Sequence, residues 1–86
     1  LDLACAHIGD QQVIGLSRNL QGTQVRTLCL SNNQIGHLGA AELGKNLQGT
    51  HVHTIDLSYN DNIGPMGITE LIKNLQGTQV RAIDLT

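Results

Sequence analysis

The sequence predicts an α/β solenoid segment, with a parallel sheet on one side and a row of helices on the other. Three observations carry this. The stretch Asn19-Leu-Gln-Gly-Thr-Gln-Val-Arg26 returns nearly unchanged as Asn46–His53 and again as Asn74–Arg81. Each copy is followed by an alternating aliphatic pair (Leu28 and Leu30, Ile55 and Leu57, Ile83 and Leu85), and Leu1 and Leu3 are the same pair at the start, so that successive pairs lie 27, 27 and 28 residues apart. Between pairs the apolar spacing changes from two to three and four, from the period of a strand to that of a helix. A unit this small cannot bury its own apolar face, and stacking copies side by side buries it between neighbours.

Each element follows from the residues of one period. Val25-x-x-Leu28-x-Leu30 reads as a short strand with its aliphatics on one face. Asn33-x-Ile35-Gly36 then turns the chain. Ala40, Leu43 and Leu47 form a helical stripe over about 39–47, and Met66, Ile68, Leu71, Ile72 and Leu75 repeat it, with Pro65 suited to a first helical position. Gly22, Gly49 and Gly77 follow the last apolar residue by two and stop each helix. The extra residue of the last interval falls at Asp61–Asn62, which marks a turn. The expected division is one repeat domain over 1–86, with repeats at about 1–27, 28–54 and 55–82 and a fourth strand at 83–86.

Composition agrees with a layered aliphatic core. The 86 residues include thirteen Leu, eight Ile and four Val but one aromatic residue, Tyr59, so large rings cannot supply the buried area that they supply in most globular cores. No apolar run approaches the ~18–20 residues of a membrane helix, and no signal-peptide pattern opens the chain. A net charge of −2 with five Lys and Arg and no stacking aromatics argues against nucleic acid as a partner. Cys5 and Cys29 fall short of the dense framework of secreted miniproteins and fit reduced thiols in a cytoplasmic chain.

The run Leu28-Cys-Leu30-Ser-Asn-Asn33-Gln-Ile35-Gly36-x-x-Gly39-Ala40-x-x-Leu43-x-x-x-Leu47 resembles a leucine-rich repeat of the ribonuclease-inhibitor-like type. Ile55-Asp-Leu57-Ser-Tyr-Asn60, then Ile63-Gly64-x-x-Gly67 and Leu71 to Leu75, repeat it. The resemblance implies a right-handed horseshoe segment, with strands on the concave face and helices on the convex face. It also implies that Asn33 and Asn60 bond the backbone of their own and adjacent turns. The first copy departs from the pattern, with Ala6 at the Asn position and Gln12 where Gly39 and Gly67 stand, so its turn is expected to be less well held. The implied activity is protein binding through the concave sheet.

Residues pointing away from the core are the candidate contacts: Arg26, Cys29, Asn32, His53, Asp56, Tyr59, Arg81 and Asp84. In register they form columns, one of Asp2, Cys29, Asp56 and Asp84 and another of Arg26, His53 and Arg81. Tyr and Arg most often dominate interfaces, whereas the plainer reading makes these solvated strand residues with offsetting charges. Leu1, Leu3, Ile83 and Leu85 belong to edge strands without a visible polar cap, which implies either a piece of a longer array or self-association into an oligomer through these residues.

Catalysis and metal binding are not expected. A nucleophile and its base must lie within hydrogen-bond reach, yet Cys29 and His53 stand three positions out of register, roughly 10 Å along the strand. The same offset separates Cys5 from Cys29 and argues against a disulfide. His51 and His53 flank the inward Val52 among Gln and Arg neighbours that would not complete a zinc site. His7 and His37 fall in turns without partners. No cofactor motif is present.

Overall fold

A computed structural model describes residues 1–86. Helices and short strands alternate: α1 (Asp10–Arg18), β1 (Thr27–Cys29), α2 (His37–Asn46), β2 (Thr54–Asp56), α3 (Gly64–Asn74) and β3 (Ala82–Asp84). The strands form one three-stranded parallel sheet in the order β1-β2-β3. Leu28 pairs with Ile55, and Ile55 with Ile83, so the sheet keeps the register that the repeat spacing sets. Each crossover contains a helix, as parallel neighbours require.

Side-chain alternation places the core. Leu28, Ile55 and the paired Leu30 and Leu57 point inward, where they meet Val13, Leu43, Leu47 and Leu71 from the helices, all essentially inaccessible to solvent. No aromatic residue takes part, as the composition requires. No helix is long and apolar enough to cross a membrane.

Three details differ from the sequence expectations. The strands are shorter than the aliphatic pattern, although pairing continues past them through the Leu30 N–H to Asp56 (2.8 Å) and Leu57 N–H to Asp84 (2.7 Å) bonds. The first copy contributes an isolated bridge between Asp2 and Cys29 instead of a full strand. Finally, α2 begins at His37 and not near Gly39, so His37 is a helical residue, not a turn residue. The backbone of Gly36 is extended immediately before it (φ −102°), which lets the helix start one turn earlier than its first buried apolar residue.

The repeated Asn-Leu-Gln-Gly-Thr closes each period. Gly22, Gly49 and Gly77 adopt φ of 78°, 78° and 83°, the left-handed reversal that ends a helix at little cost only for glycine. The following Thr23, Thr50 and Thr78 hydroxyls donate back to the carbonyls of Leu20, Leu47 and Leu75 at 2.8, 2.8 and 2.6 Å, which satisfies helix-end acceptors.

Candidate binding surface

The face of the sheet opposite the helices carries the residues that point away from the core. Because β1, β2 and β3 are in register, their side chains fall into rows across the strands. Cys29, Asp56 and Asp84 form one row through direct pairing, and the Asp2 bridge extends it. Arg26, His53 and Arg81, each just ahead of its strand, are aligned along the backbone: the His53 N–H donates to the Arg26 carbonyl (2.8 Å) and the Arg81 N–H to the His53 carbonyl (3.0 Å). Thr27, Thr54 and Ala82 pair across the strands as another row, and with Cys29, Asp56 and Asp84 they line a shallow groove of about 400 Å³.

The acidic row has a local task as well as an exposed one. Asp56 Oδ1 accepts from the Ser58 N–H (3.0 Å) and hydroxyl (2.6 Å), and Asp84 Oδ1 from the Thr86 N–H (3.0 Å) and hydroxyl (2.7 Å). Asp2 Oδ1 accepts the Ala4 N–H at 3.1 Å. These bonds tighten the chain as it leaves each strand. The Thr86 hydroxyl, followed by its N–H, holds the Asp84 carboxyl below the ordinary Asp range. Cys29 Sγ lies 3.5 Å from Ser31 Oγ and 3.9 Å from Asp56 Oδ2. His53 Nδ1 is 2.8 Å from its neighbour Thr54 Oγ1.

Beyond the strands, Cys5, Asn32 and Tyr59 make a further row with an unusual backbone. Their φ values are 58°, 55° and 60°, a left-handed conformation that Asn tolerates but that strains Cys and Tyr. Asn32 Nδ2 donates to Cys5 Sγ at 3.2 Å. Tyr59 is 67% exposed.

Asn33 and Asn60, by contrast, are buried turn residues. Asn33 Oδ1 accepts the Ala6 and Ile8 N–H groups (3.0 and 2.9 Å), and its Nδ2 donates to the carbonyls of Leu3, Leu30 and Ser31. Asn60 accepts the Ile35 N–H (3.0 Å) and donates to Leu30, Leu57 and Ser58. Each side chain therefore reaches back one repeat, so the Ala6 turn, expected to be loose, is held by its neighbour's Asn33.

The proposed self-association residues are not uniformly bare. Leu1 is 50% exposed, whereas Leu3 and Leu85 are partly buried and pack against the core, and Ile83 is half-buried. No group of three or more His, Cys, Asp or Glu side chains converges as metal ligands would.

Two polar devices escaped the sequence reading. Gln21 Nε2 donates to the carbonyls of Asn46 and Gln48, and Gln48 Nε2 to those of Asn74 and Gln76, a ladder that ties helix ends together across repeats. Its signal was the unvarying Gln of the repeated stretch. Asp10 Oδ1 accepts the Gly36 N–H at 2.6 Å, so an acid of α1 caps the start of α2, which has no side-chain cap of its own.

A family model described as Leucine Rich repeat matches residues 49–71, from the Gly49 reversal through β2 and Asn60 to Leu71 of α3. The match supports a leucine-rich repeat protein. It covers one strand, its turn and most of one helix, and β1, the Asn33 turn and α2 repeat that order in the same register. No curated protein matches the chain.

Proposed function

We propose that this chain is a protein-binding scaffold, a ribonuclease-inhibitor-like leucine-rich repeat segment that docks a partner protein on the open, concave face of its sheet. Leucine-rich repeat domains generally mediate protein–protein interaction. The observation that carries the reading is Tyr59: a large ring, 67% exposed, on a left-handed backbone at φ 60° beside aligned polar rows. The turn imposes the same backbone at Cys5 and Asn32, so a large ring at this step carries strain of about 1–3 kcal/mol that packing does not require. Arg26 and Arg81, also exposed, supply the charged anchors typical of interfaces. The reading assigns no catalytic residue, and places the chain in the cytoplasm with Cys5 and Cys29 as thiols.

Self-association by stacking ends is the weaker alternative. Inside the molecule α2 meets its neighbours at Gly39 and Gly44. A Cβ on Gly39 would lie 2.9 Å from Val13 Cγ1, and one on Gly44 3.0 Å from Asn74 Cβ. The equivalent outer positions carry Gln12 and Ile72, too bulky for a second copy to repeat that spacing.

Tyr59→Asn tests the proposal, since Asn suits the left-handed backbone and removes only the ring. Combined with Arg81→Ala it should reduce recovery of the bound partner at least tenfold while circular dichroism and the melting temperature hold or rise. Undiminished recovery would remove the sheet face from consideration.

A further inference from the structure

Two repeat junctions show what fills the space between one turn and the next, and the same space stands open beside β3. Asn33 is bonded by Leu3, Ala6, Ile8, Leu30 and Ser31, and Asn60 by Leu30, Ile35, Leu57 and Ser58. One period on from the partners of Asn60 stand Leu57, Ile63, Leu85 and Thr86. All four line a cavity of about 230 Å³, together with Asn60, which is the counterpart of Ala6. We infer that this cavity is a binding site for a carboxamide side chain, presented by an extended segment of a partner protein that adds to the β3 edge. The site lies apart from the open sheet face, and the inference does not rest on that face being a docking surface.

The groups that bond such a side chain are already in place. The Leu30 carbonyl accepts from both Asn33 and Asn60 (3.0 and 2.9 Å), and the Leu57 carbonyl from Asn60 alone (3.1 Å). The Leu85 carbonyl accepts from no group of the chain. Unused acceptor capacity thus grows toward the cavity. The Ile8 and Ile35 N–H groups donate to a carboxamide oxygen at 2.9 and 3.0 Å. Their counterpart, the Ile63 N–H, makes only a long bond (3.3 Å) to the Asn60 carbonyl across the longer third turn, one that a carboxamide oxygen can replace. A carboxamide alone among side-chain groups accepts through its oxygen while offering two N–H donors to carbonyls. A carboxylate has no donor for Leu57 and Leu85, and an ammonium has no acceptor for Ile63.

The sheet edge decides how the carboxamide arrives. β3 has β2 on one side and no strand on the other, so its outward N–H and C=O groups can take a further strand. At both filled junctions the Asn follows an inward aliphatic pair at fixed spacing: Leu28, Leu30 and Asn33, then Ile55, Leu57 and Asn60. The recognised segment is accordingly aliphatic-x-Leu-x-x-Asn. It covers Ile83 and Leu85, neither of them fully buried, and lowers its carboxamide into the cavity. A second copy of the chain does not fit, because its outer strand runs Leu1-x-Leu3-x-x-Ala6 and has no carboxamide at the deciding place.

A fluorescent peptide with the sequence of Val52–Ile63 carries such a segment, and the same peptide with Ala for its Asn60 lacks only the carboxamide. With the full chain titrated into nanomolar peptide, anisotropy should show the Asn peptide binding about tenfold more tightly than the Ala peptide. The bound Asn peptide should also shift the Ile63 and Leu85 amide resonances and slow hydrogen exchange at Ile83 and Leu85. Equal affinity of the two peptides, no binding at millimolar chain, or shifts confined to other surfaces overturns the inference.

Discussion

The junction between the first and second repeats and that between the second and third are built from the same sequence motif yet cohere differently. At the first, Asn33 holds Leu3, Ala6 and Ile8, Asp10 caps Gly36, and Asn46 donates to the Ser17 hydroxyl at 3.0 Å. At the second, Asn60 reaches back to Leu30 and Ile35, and Asn74 donates to the Ala41 carbonyl at 3.1 Å. There α2 packs more extensively on α3 than it does on α1. The cause is visible in single residues. Gly44 and Gly67 both sit where α2 and α3 touch, whereas Ser17 occupies the Gly44 position at the first junction. The first relies more on polar cross-links and the second on close helix contact.

The asparagines should show the largest effect. Asn33→Ala leaves buried N–H and C=O groups of two repeats without partners, at about 1–3 kcal/mol for each group that water cannot reach. A total on the order of 3–4 kcal/mol removes much of the stability of a domain this small. Asn60→Ala acts on fewer cross-repeat bonds, but all four of its bonds are buried against two of the five of Asn33, so its loss should be of the same size. Urea denaturation of both variants measures the pair, and a negligible loss for Asn33→Ala would break the polar account of the first junction. Asn33→Asp, which keeps the acceptor for Ala6 and Ile8, should recover part of the loss.

The glycines come next and should weigh on the second junction more than on the first. On Gly67 a Cβ would stand 2.8 Å from His37 Cα and 2.7 Å from Ile63 Cγ2. Backbone cannot yield, so Gly67→Ala should destabilise by about 1–3 kcal/mol despite the better helix propensity of Ala. On Gly39 the nearest atom, 2.5 Å away, is the end of the Asp10 side chain, although Val13 Cγ1 and Asp10 Cα follow at 2.9 and 3.0 Å. Gly39→Ala should therefore cost less, and part of its cost should be the Asp10 cap on Gly36. Thermal melts of Gly39→Ala with and without Asp10→Ala separate the two contributions, because a lost cap makes the double variant less than additive.

This contrast explains which parts of the molecule were readable in the sequence. Periodicity fixes pairing, so the strand register and the buried Leu and Ile layers are legible in the sequence alone. Asn33 and Asn60 were legible through the resemblance, because one residue type at one step has one geometric use. Asp10 was not, since capping a helix in the next repeat leaves no local pattern. Nor was the left-handed backbone at Cys5, Asn32 and Tyr59, because residue types as different as Cys and Tyr give no hint of a positive φ. The candidate surface lies between these cases: its rows follow from register, but the local bonds that occupy Asp56 and Asp84 depend on Ser58 and Thr86 two residues on. That spacing is too short for the repeat to advertise.

The smallest expected effect tests whether such local bonds add polar cohesion where the fourth strand joins the third repeat. The Thr86 carbonyl accepts the Tyr59 N–H at 3.1 Å, and the Asp84–Thr86 bonds hold Thr86 in place. Because those bonds lower the Asp84 pKa in the folded chain from its ordinary value of 3.8, they stabilise the fold fully above that value. Their contribution disappears as pH falls through the depressed folded value. Thr86→Val removes the hydroxyl, the leading cause of the shift, and keeps the backbone N–H. Its Asp84 carboxyl should titrate closer to 3.8 by NMR. Its stability should fall slightly short of the parent at neutral pH and approach it in strong acid, where protonated Asp84 no longer makes a charge-assisted bond to the hydroxyl. A gap between the two that persists unchanged into acid would mean that Thr86 acts through packing alone, and that the seat of the fourth strand gains nothing from this polar turn.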